Sequence, residues 1–253
     1  MTIKFNFFDK NGGVSTKEKY KSLNCGPKSG DDEKNIIQNR DIVKKFFDNK
    51  NFDKLKLFFS DQIHSDKIFA IESQDDLAKF PEADGIVTNL KNIILAITTA
   101  DCTPILFYEE RKNVIGLCHA GWRGAHSNLM QNLINIMIQK YSCDIKNIKI
   151  QIGPNIKQNS YQVQKDFYNK WIEESKDFDR FFDKKNDGYY FNLTGAIIYK
   201  LIKIRIHSEN IYNLDIDTFS NENYFSYRRM IKNDLIQNGD KEFGVNTSAI
   251  VIL

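Results

Sequence analysis

Apolar and polar positions change their spacing several times along the chain. The short apolar segment Ile3 to Phe8 predicts a first strand, and the stretch from Asp9 to Gly30, which holds Gly12-Gly13, Pro27 and Gly30, predicts a long loop. A loop longer than about 12–15 residues without structure of its own is usually functional, so this one is read as lining a site, with Leu23 to Gly26 as a buried anchor. Asp31 or Asp32 then caps a helix with Ile36, Ile37, Val43, Phe46 and Phe47 on its apolar face, Arg40 on or beside that face, and an end near Asn51. From Leu55 to Cys118 the pattern shortens to β-rich runs at 55–59, 67–72, 84–89, 93–98, 104–108 and 113–118. Helical spacing returns at Leu129, Leu133, Ile136 and Met137. After it come a strand at 147–152, helices near 164–176 and at 193–206, a strand at 211–216 and a last strand at 246–252. Strands cluster in one stretch and helices are distributed around it, which predicts an α+β domain with a mixed sheet, without internal repeat, over 1–253.

Composition narrows the class. A length of 253 residues suits one large domain, and 41% hydrophobic residues with 19 Phe, 11 Tyr and 2 Trp exclude general disorder. The longest purely apolar runs, Ile93 to Ile97 and Ala249 to Leu253, fall far short of the roughly 20 residues of a membrane span. Charges at Lys4, Asp9 and Lys10 interrupt any signal-peptide core of about 7–15 apolar residues. The 36 Lys and Arg against 33 Asp and Glu alternate along the chain, so no nucleic acid partner is implied. Four cysteines without CxxC spacing indicate neither a disulfide scaffold nor a four-cysteine zinc knuckle, and a reducing cytoplasm is the expected location.

Candidate chemistry concentrates at the ends of β runs. His64 lies in DQIHSD, Cys102 in TTADCTPILF and His119 in CHAGWRG, each beside a different run. Read as a His, Cys, His set, these residues give three protein ligands and an open fourth position, the arrangement with which zinc activates water or binds a substrate oxygen. Gln62 and Asp101 are then candidates to orient ligands or substrate. The same residues allow Cys102 to be a nucleophile with His119 as its base, and sequence does not separate the two readings. Gly121 and Gly124 predict a tight turn into a helix beside Arg123, which suits an anion. Arg228 and Arg40 add guanidinium groups for bidentate anion recognition. Asp84 and Asp101 are carboxylates inside apolar stretches and are read as candidate proton carriers.

Together the strings SLNCGPKSGDDEKNIIQNR (22–40), QIHSD (62–66), EADGIVT (82–88), TADCTPILF (99–107), HAGWRG (119–124), IGPNI (152–156) and YFSYRR (224–229) resemble the YfiH family, also called the multicopper polyphenol oxidoreductase or laccase-domain family. The resemblance covers nearly the whole length. It implies a single α+β domain with mixed sheets forming a sandwich-like core flanked by helices, and a metal site mapping onto His64, Cys102 and His119. It further implies a purine nucleoside phosphorylase that cleaves adenosine, inosine and methylthioadenosine, deaminates adenosine, and holds zinc, with copper as the other candidate metal, in a monomer or homodimer. Phosphate would fall to Arg40, Arg123 and Arg228, beside Gln62. Two other descriptions of the family give alternatives: an amide hydrolase editing a serine-containing peptidoglycan precursor, and a copper-dependent polyphenol oxidase. Four histidines are too few for a full multicopper set within one chain, and the H-x-E, P-C-x-x-C deaminase signature is absent. The chain departs from the family pattern at Lys10, Gln162, Asp217 and Val245.

Overall fold

A computed structural model describes residues 2–253, and its elements follow from how many faces each segment must bury. The chain opens with β1 (Ile3–Phe7) and, after the long loop, α1 (Glu33–Phe47), whose N-cap Asp32 accepts a hydrogen bond from the Lys34 amide. A strand-rich stretch follows: β2 (Lys56–Phe58), β3 (Ile68–Ile71), β4 (Gly85–Thr88), β5 (Ile93–Thr99), β6 (Thr103–Glu109) and β7 (Val114–Ala120). The remainder comprises α2 (Trp122–His126), α3 (Leu129–Gln139), β8 (Lys149–Ile152), β9 (Gln162–Val163), α4 (Lys165–Glu174), β10 (Phe182–Lys185), β11 (Gly188–Phe191), α5 (Leu193–Lys203), β12 (Ile211–Asn213), α6 (Tyr227–Lys232) and β13 (Asn246–Ile252). Among the described residues no helix is long and apolar enough to cross a membrane.

Two mixed sheets pack face to face, one in the order β1-β13-β5-β2 and the other in the order β12-β8-β6-β7-β4-β3. Ile93, Leu95 and Ile97 of β5 meet Leu106, Ile115 and Leu117 between the sheets, while Ile94 and Ala96 face outward onto Val43 and Phe47 of α1. On the far side, Ile105, Phe107 and Cys118 pack against Leu133, Met137, Trp171 and Ile197 from α3, α4 and α5. Both faces of each central strand are therefore buried, which is why β5, β6 and β7 read as continuous apolar runs. The layers run helix, sheet, sheet, helices, so the expected sandwich-like α+β core is present. A third, antiparallel sheet of β10, β11 and β9 was not anticipated, because its strands are short and its polar positions, such as Lys184 and Lys185, face water. The five- and six-residue helices α2 and α6 were likewise too brief to show a period.

The apolar face drawn for α1 needs correction. Ile37 and Phe46 are 53% and 57% exposed, and the helix stops at Phe47. Its inward stripe runs through Ile36, Val43 and Phe47, and the position between them is taken by a polar residue, Asn39, which is fully buried. Asn39 donates to Ser15 Oγ, Ser22 O and Asn24 O and accepts from the Val14 amide, so one side chain holds the long loop onto the helix. Asn39→Ala strands those groups away from water and is expected to lower stability by about 2 kcal/mol. Denaturant unfolding checks the size, and faster tryptic cleavage after Lys17 and Lys21 would place the loosening in the loop.

Candidate functional site

Strand register brings the histidine and its orienting acid together. β4 and β7 run antiparallel with Gly85 opposite Cys118, so Asp84 falls beside His119, whose amide donates to Asp84 O at 2.7 Å. The Asp84 side chain, fully buried, accepts from His119 Nδ1 at 2.8 Å and from the amides of Ile63, His64 and Ser65 and the Ser65 hydroxyl. With Nδ1 committed to Asp84 as a donor, Nε2 is the ring nitrogen that a neutral His119 would offer to a metal. The same carboxylate shapes the turn before β3, where His64 sits at φ 60°.

Cys102 arrives from the turn between β5 and β6. Asp101 occupies the left-handed region at φ 88°, and its buried carboxylate accepts from Thr218 Oγ1 and the Arg228 amide, both at 2.7 Å. That anchorage aims Cys102 at the histidines: Sγ lies 3.9 Å from His64 Nε2, and the ligand atoms of His64, Cys102 and His119 all lie within 4.8 Å of one another. Gly121 passes so close that a Cβ there would meet Cys102 Sγ at 2.8 Å and His64 Cδ2 at 3.1 Å. Two imidazole nitrogens and a thiolate, one nitrogen tautomerically fixed, match the ligand preference of zinc, and the donors leave a coordination position for another ligand.

Electrostatics distinguish this thiol from the others. Burial raises the Cys102 pKa, but the charge and hydrogen bond of His119, then those of His64, outweigh it and bring the thiol below its ordinary value. His119 moves the opposite way: burial disfavours its charge, yet Cys102 and Asp84 hold it upward. Burial pushes Cys25 up to about 11 and Cys143 up to about 12, and drives Cys118 well above the usual range. In metal-free native protein at pH 7, Cys102 should therefore be the first thiol alkylated, and zinc should suppress the reaction. Peptide mapping by mass spectrometry after iodoacetamide treatment checks this, and prior labelling of Cys25 or Cys118 would contradict it.

The triad forms part of the wall of a cavity of about 670 Å³, lined also by Gly26 to Ser29 of the long loop, Ser60 to Ile63, Phe80, Thr98 to Ala100, and Tyr227 and Phe243 near the C-terminus. This is the size of a small-molecule pocket. The long loop does line the site. Gln62 lines it too, but its amide is spent on β5, donating to Thr98 O and accepting from the Thr98 amide and hydroxyl.

Other expected site residues fall elsewhere. Arg40 donates from Nε and Nη2 to Cys25 O and its guanidinium lies over Phe59, so it anchors the long loop and does not line the cavity. Neither Asp84 nor Asp101 is placed to carry a proton to a ligand, since each carboxylate is buried and both of its oxygens are engaged by the protein. Arg228 and Arg123 do not line the cavity; the Arg228 guanidinium lies 5.7 Å from the Tyr161 ring centroid. Arg228 donates to Gln162 O, and exposed Arg123 lies over Trp122. Sequence reasoning missed Asp61, Lys28, Phe80, Tyr227 and Phe243 as cavity residues. Asp61, Lys28 and Tyr227 lie in strings already singled out, but only the meeting of the loops around 28, 61, 80 and 243 makes the five residues neighbours.

The chain is similar to known proteins over most of its length. The family model for multi-copper polyphenol oxidoreductase laccase matches residues 4–251. A purine nucleoside phosphorylase of Rickettsia prowazekii is 30% identical over 199 residues, 78% of each chain. One from Borreliella burgdorferi is 30% identical over 208 residues, covering 79% of this chain and 88% of its own. The crystal structure of the hypothetical protein YfiH from Bacillus licheniformis superposes with a TM-score of 0.86 at 27% identity, over 99% of this chain and 93% of that one.

Proposed function

Because the chain belongs to the multi-copper polyphenol oxidoreductase laccase family, we propose that it is a zinc-dependent purine nucleoside phosphorylase acting on adenosine, inosine and methylthioadenosine, with adenosine deamination as a second activity. The observation that carries this reading is the His64, Cys102, His119 donor set, open on one side to a cavity of nucleoside size. The names of the curated relatives support the phosphorylase part of it. Zinc held by these three residues would supply Lewis-acid polarisation of a substrate oxygen.

In phosphorolysis a phosphate oxygen bonds to C1′ of the ribose as the N-glycosidic bond breaks, and the bonding pair leaves with the purine, which takes up a proton. The sugar gains positive charge on the way, so an anion must be held close to it. Arg123, in the short helix α2 that follows His119, and Arg228, over the Tyr161 ring, are the guanidinium groups that would neutralise phosphate. Phe80, Tyr227 and Phe243 would receive the base and exclude water around it. Asp84 acts on the reaction through His119, whose ring it orients, and Asp101 through the turn that carries Cys102.

Chromatography of inosine, adenosine and methylthioadenosine with and without phosphate tests the reading. Phosphate-dependent appearance of free base is the expected result. Phosphate-independent release would assign hydrolysis, and intact nucleosides throughout would overturn the proposal. Elemental analysis of the purified protein decides between zinc and copper.

A further inference from the structure

Asp61 is a cavity carboxylate whose position is fixed and whose acceptor capacity is largely unspent. Its backbone is held on both sides, by Asp61 N donating to Pro81 O at 2.9 Å and Ala83 N donating to Asp61 O at 3.0 Å. The next residues are locked in turn: Gln62 clamps Thr98, and the amides of Ile63, His64 and Ser65 sit on Asp84. Asp61 is therefore set at a constant displacement from the metal ligand three residues later in the chain, and both line the same cavity.

Its side chain is only 20% exposed, and among the described residues its one hydrogen-bond partner is Lys28 Nζ, at 2.5 Å. Lys28 is itself 65% exposed and reaches across from the long loop, with its ammonium 5.5 Å from the Phe80 ring centroid. The other acids nearby are saturated by the protein or exposed to solvent. Asp84 and Asp101 are saturated by the protein, and Asp240 sits on an exposed turn with one oxygen taken by the Gln237 amide.

A carboxylate with one oxygen free, neutralised by an exposed ammonium and lining a largely apolar cavity, suits a neutral ligand with adjacent hydroxyl donors. It is a poor match for a ligand carrying its own negative charge. On the nucleoside reading given above, we infer that Asp61 reads the sugar: its carboxylate accepts hydrogen bonds from the 2′- and 3′-hydroxyls of the ribose, with Lys28 as its counter-charge. Sites built to hydrogen-bond a hydroxyl discriminate strongly against the analogue that lacks it, because the protein group is then left unpaired. Asp61 thus makes the cavity selective for ribonucleosides over 2′-deoxyribonucleosides.

The test is calorimetric titration of inosine and 2′-deoxyinosine into the full chain in phosphate-free buffer, which reads binding apart from turnover. Wild-type protein should bind inosine about tenfold to hundredfold more tightly, the range set by one hydrogen bond to a charged acceptor. Asp61→Asn should bring the two affinities together by weakening inosine alone, with the thermal midpoint monitored to show that it folds. Lys28→Met keeps the carboxylate and should keep the preference. Equal affinities in the wild type, an unchanged ratio in Asp61→Asn, loss of the ratio in Lys28→Met, or no binding of either nucleoside would each overturn the role of Asp61. Failure of the phosphorylase reading shows up separately, as inosine that binds with the expected preference but releases no base when phosphate is added.

Discussion

Cys102→Ala is expected to abolish phosphate-dependent release of purine base, by about a thousandfold or more, while leaving the fold in place. The side chain is half-buried in a turn held by other groups: Asp101 is fastened to Thr218 and Arg228, and Ile156 N donates to Asp101 O at 3.0 Å. Losing a sulfur there removes no core packing, so the thermal midpoint of the metal-free protein should move by only a few degrees, corresponding to about 1 kcal/mol or less. Zinc affinity is another matter. Altering a partner outside the ligand set already costs roughly 10- to 100-fold in metal binding, and loss of a ligating thiolate should exceed that. Elemental analysis and base release measured on one preparation check both halves, and equal zinc content in wild type and variant would remove Cys102 from the centre.

Asp84→Ala should be the most destabilising single change at the site. It strips acceptors from the Ile63, His64 and Ser65 amides and from the Ser65 hydroxyl, and leaves His119 Nδ1 without its partner. Breaking a buried charge network in this way costs about 3–5 kcal/mol, enough to consume much of the stability of an ordinary domain. The expected result is a protein that unfolds at markedly lower denaturant and retains little zinc. Asp84→Asn keeps the shape and should recover part of the stability, but its amide turns a donor toward His119 or toward the turn.

The pH response has a definite sign. Burial alone would raise the Asp84 pKa, but His119 and the Ser65 donors outweigh it and hold the carboxylate below its ordinary value. Its contribution is present above the unfolded carboxylate pKa of about 3.9 and disappears as pH falls through the lower folded value. His119 contributes the opposite slope in metal-free protein. Its raised pKa gives stability that is complete below about 6.5 and is lost as pH rises through the folded value. Equilibrium unfolding of wild type against pH should show both limbs, and Asp84→Asn should flatten the acid one.

Strands buried on two faces leave a strong mark in a sequence, and β5, β6, β7 and β13 were legible within a residue or two. Elements that owe their existence to partners were not. The strands β9 to β11 are short, and they depend on an aromatic cluster in which Phe167, Phe182 and Phe191 come from separate segments. That His64, Cys102 and His119 would converge was legible because a thiol and two imidazoles are rare beside apolar runs. Arg40 illustrates the opposite case: a guanidinium suggests an anion, but nothing local reveals that a backbone carbonyl from the preceding loop will occupy it. Asp84 was noticed for its chemistry, but its partners were not legible, since its five donors come from two segments that meet only in the folded sheet.

Two of the three residues that could hold a metal lie on crossings of the chain between the sheets: His64 on the passage from β2 to β3, and Cys102 on the passage from β5 to β6. His119 belongs to the six-stranded sheet. An ion shared by them would act as a rivet through the seam of the sandwich, joining layers otherwise held at that end by loops. Ligands that bind only the folded state stabilise it in proportion to RT ln(1 + [L]/Kd). The heat resistance of this protein would then follow the metal supply of its surroundings, and a cell starved of that metal would hold a catalyst that is both inactive and quicker to be cleared.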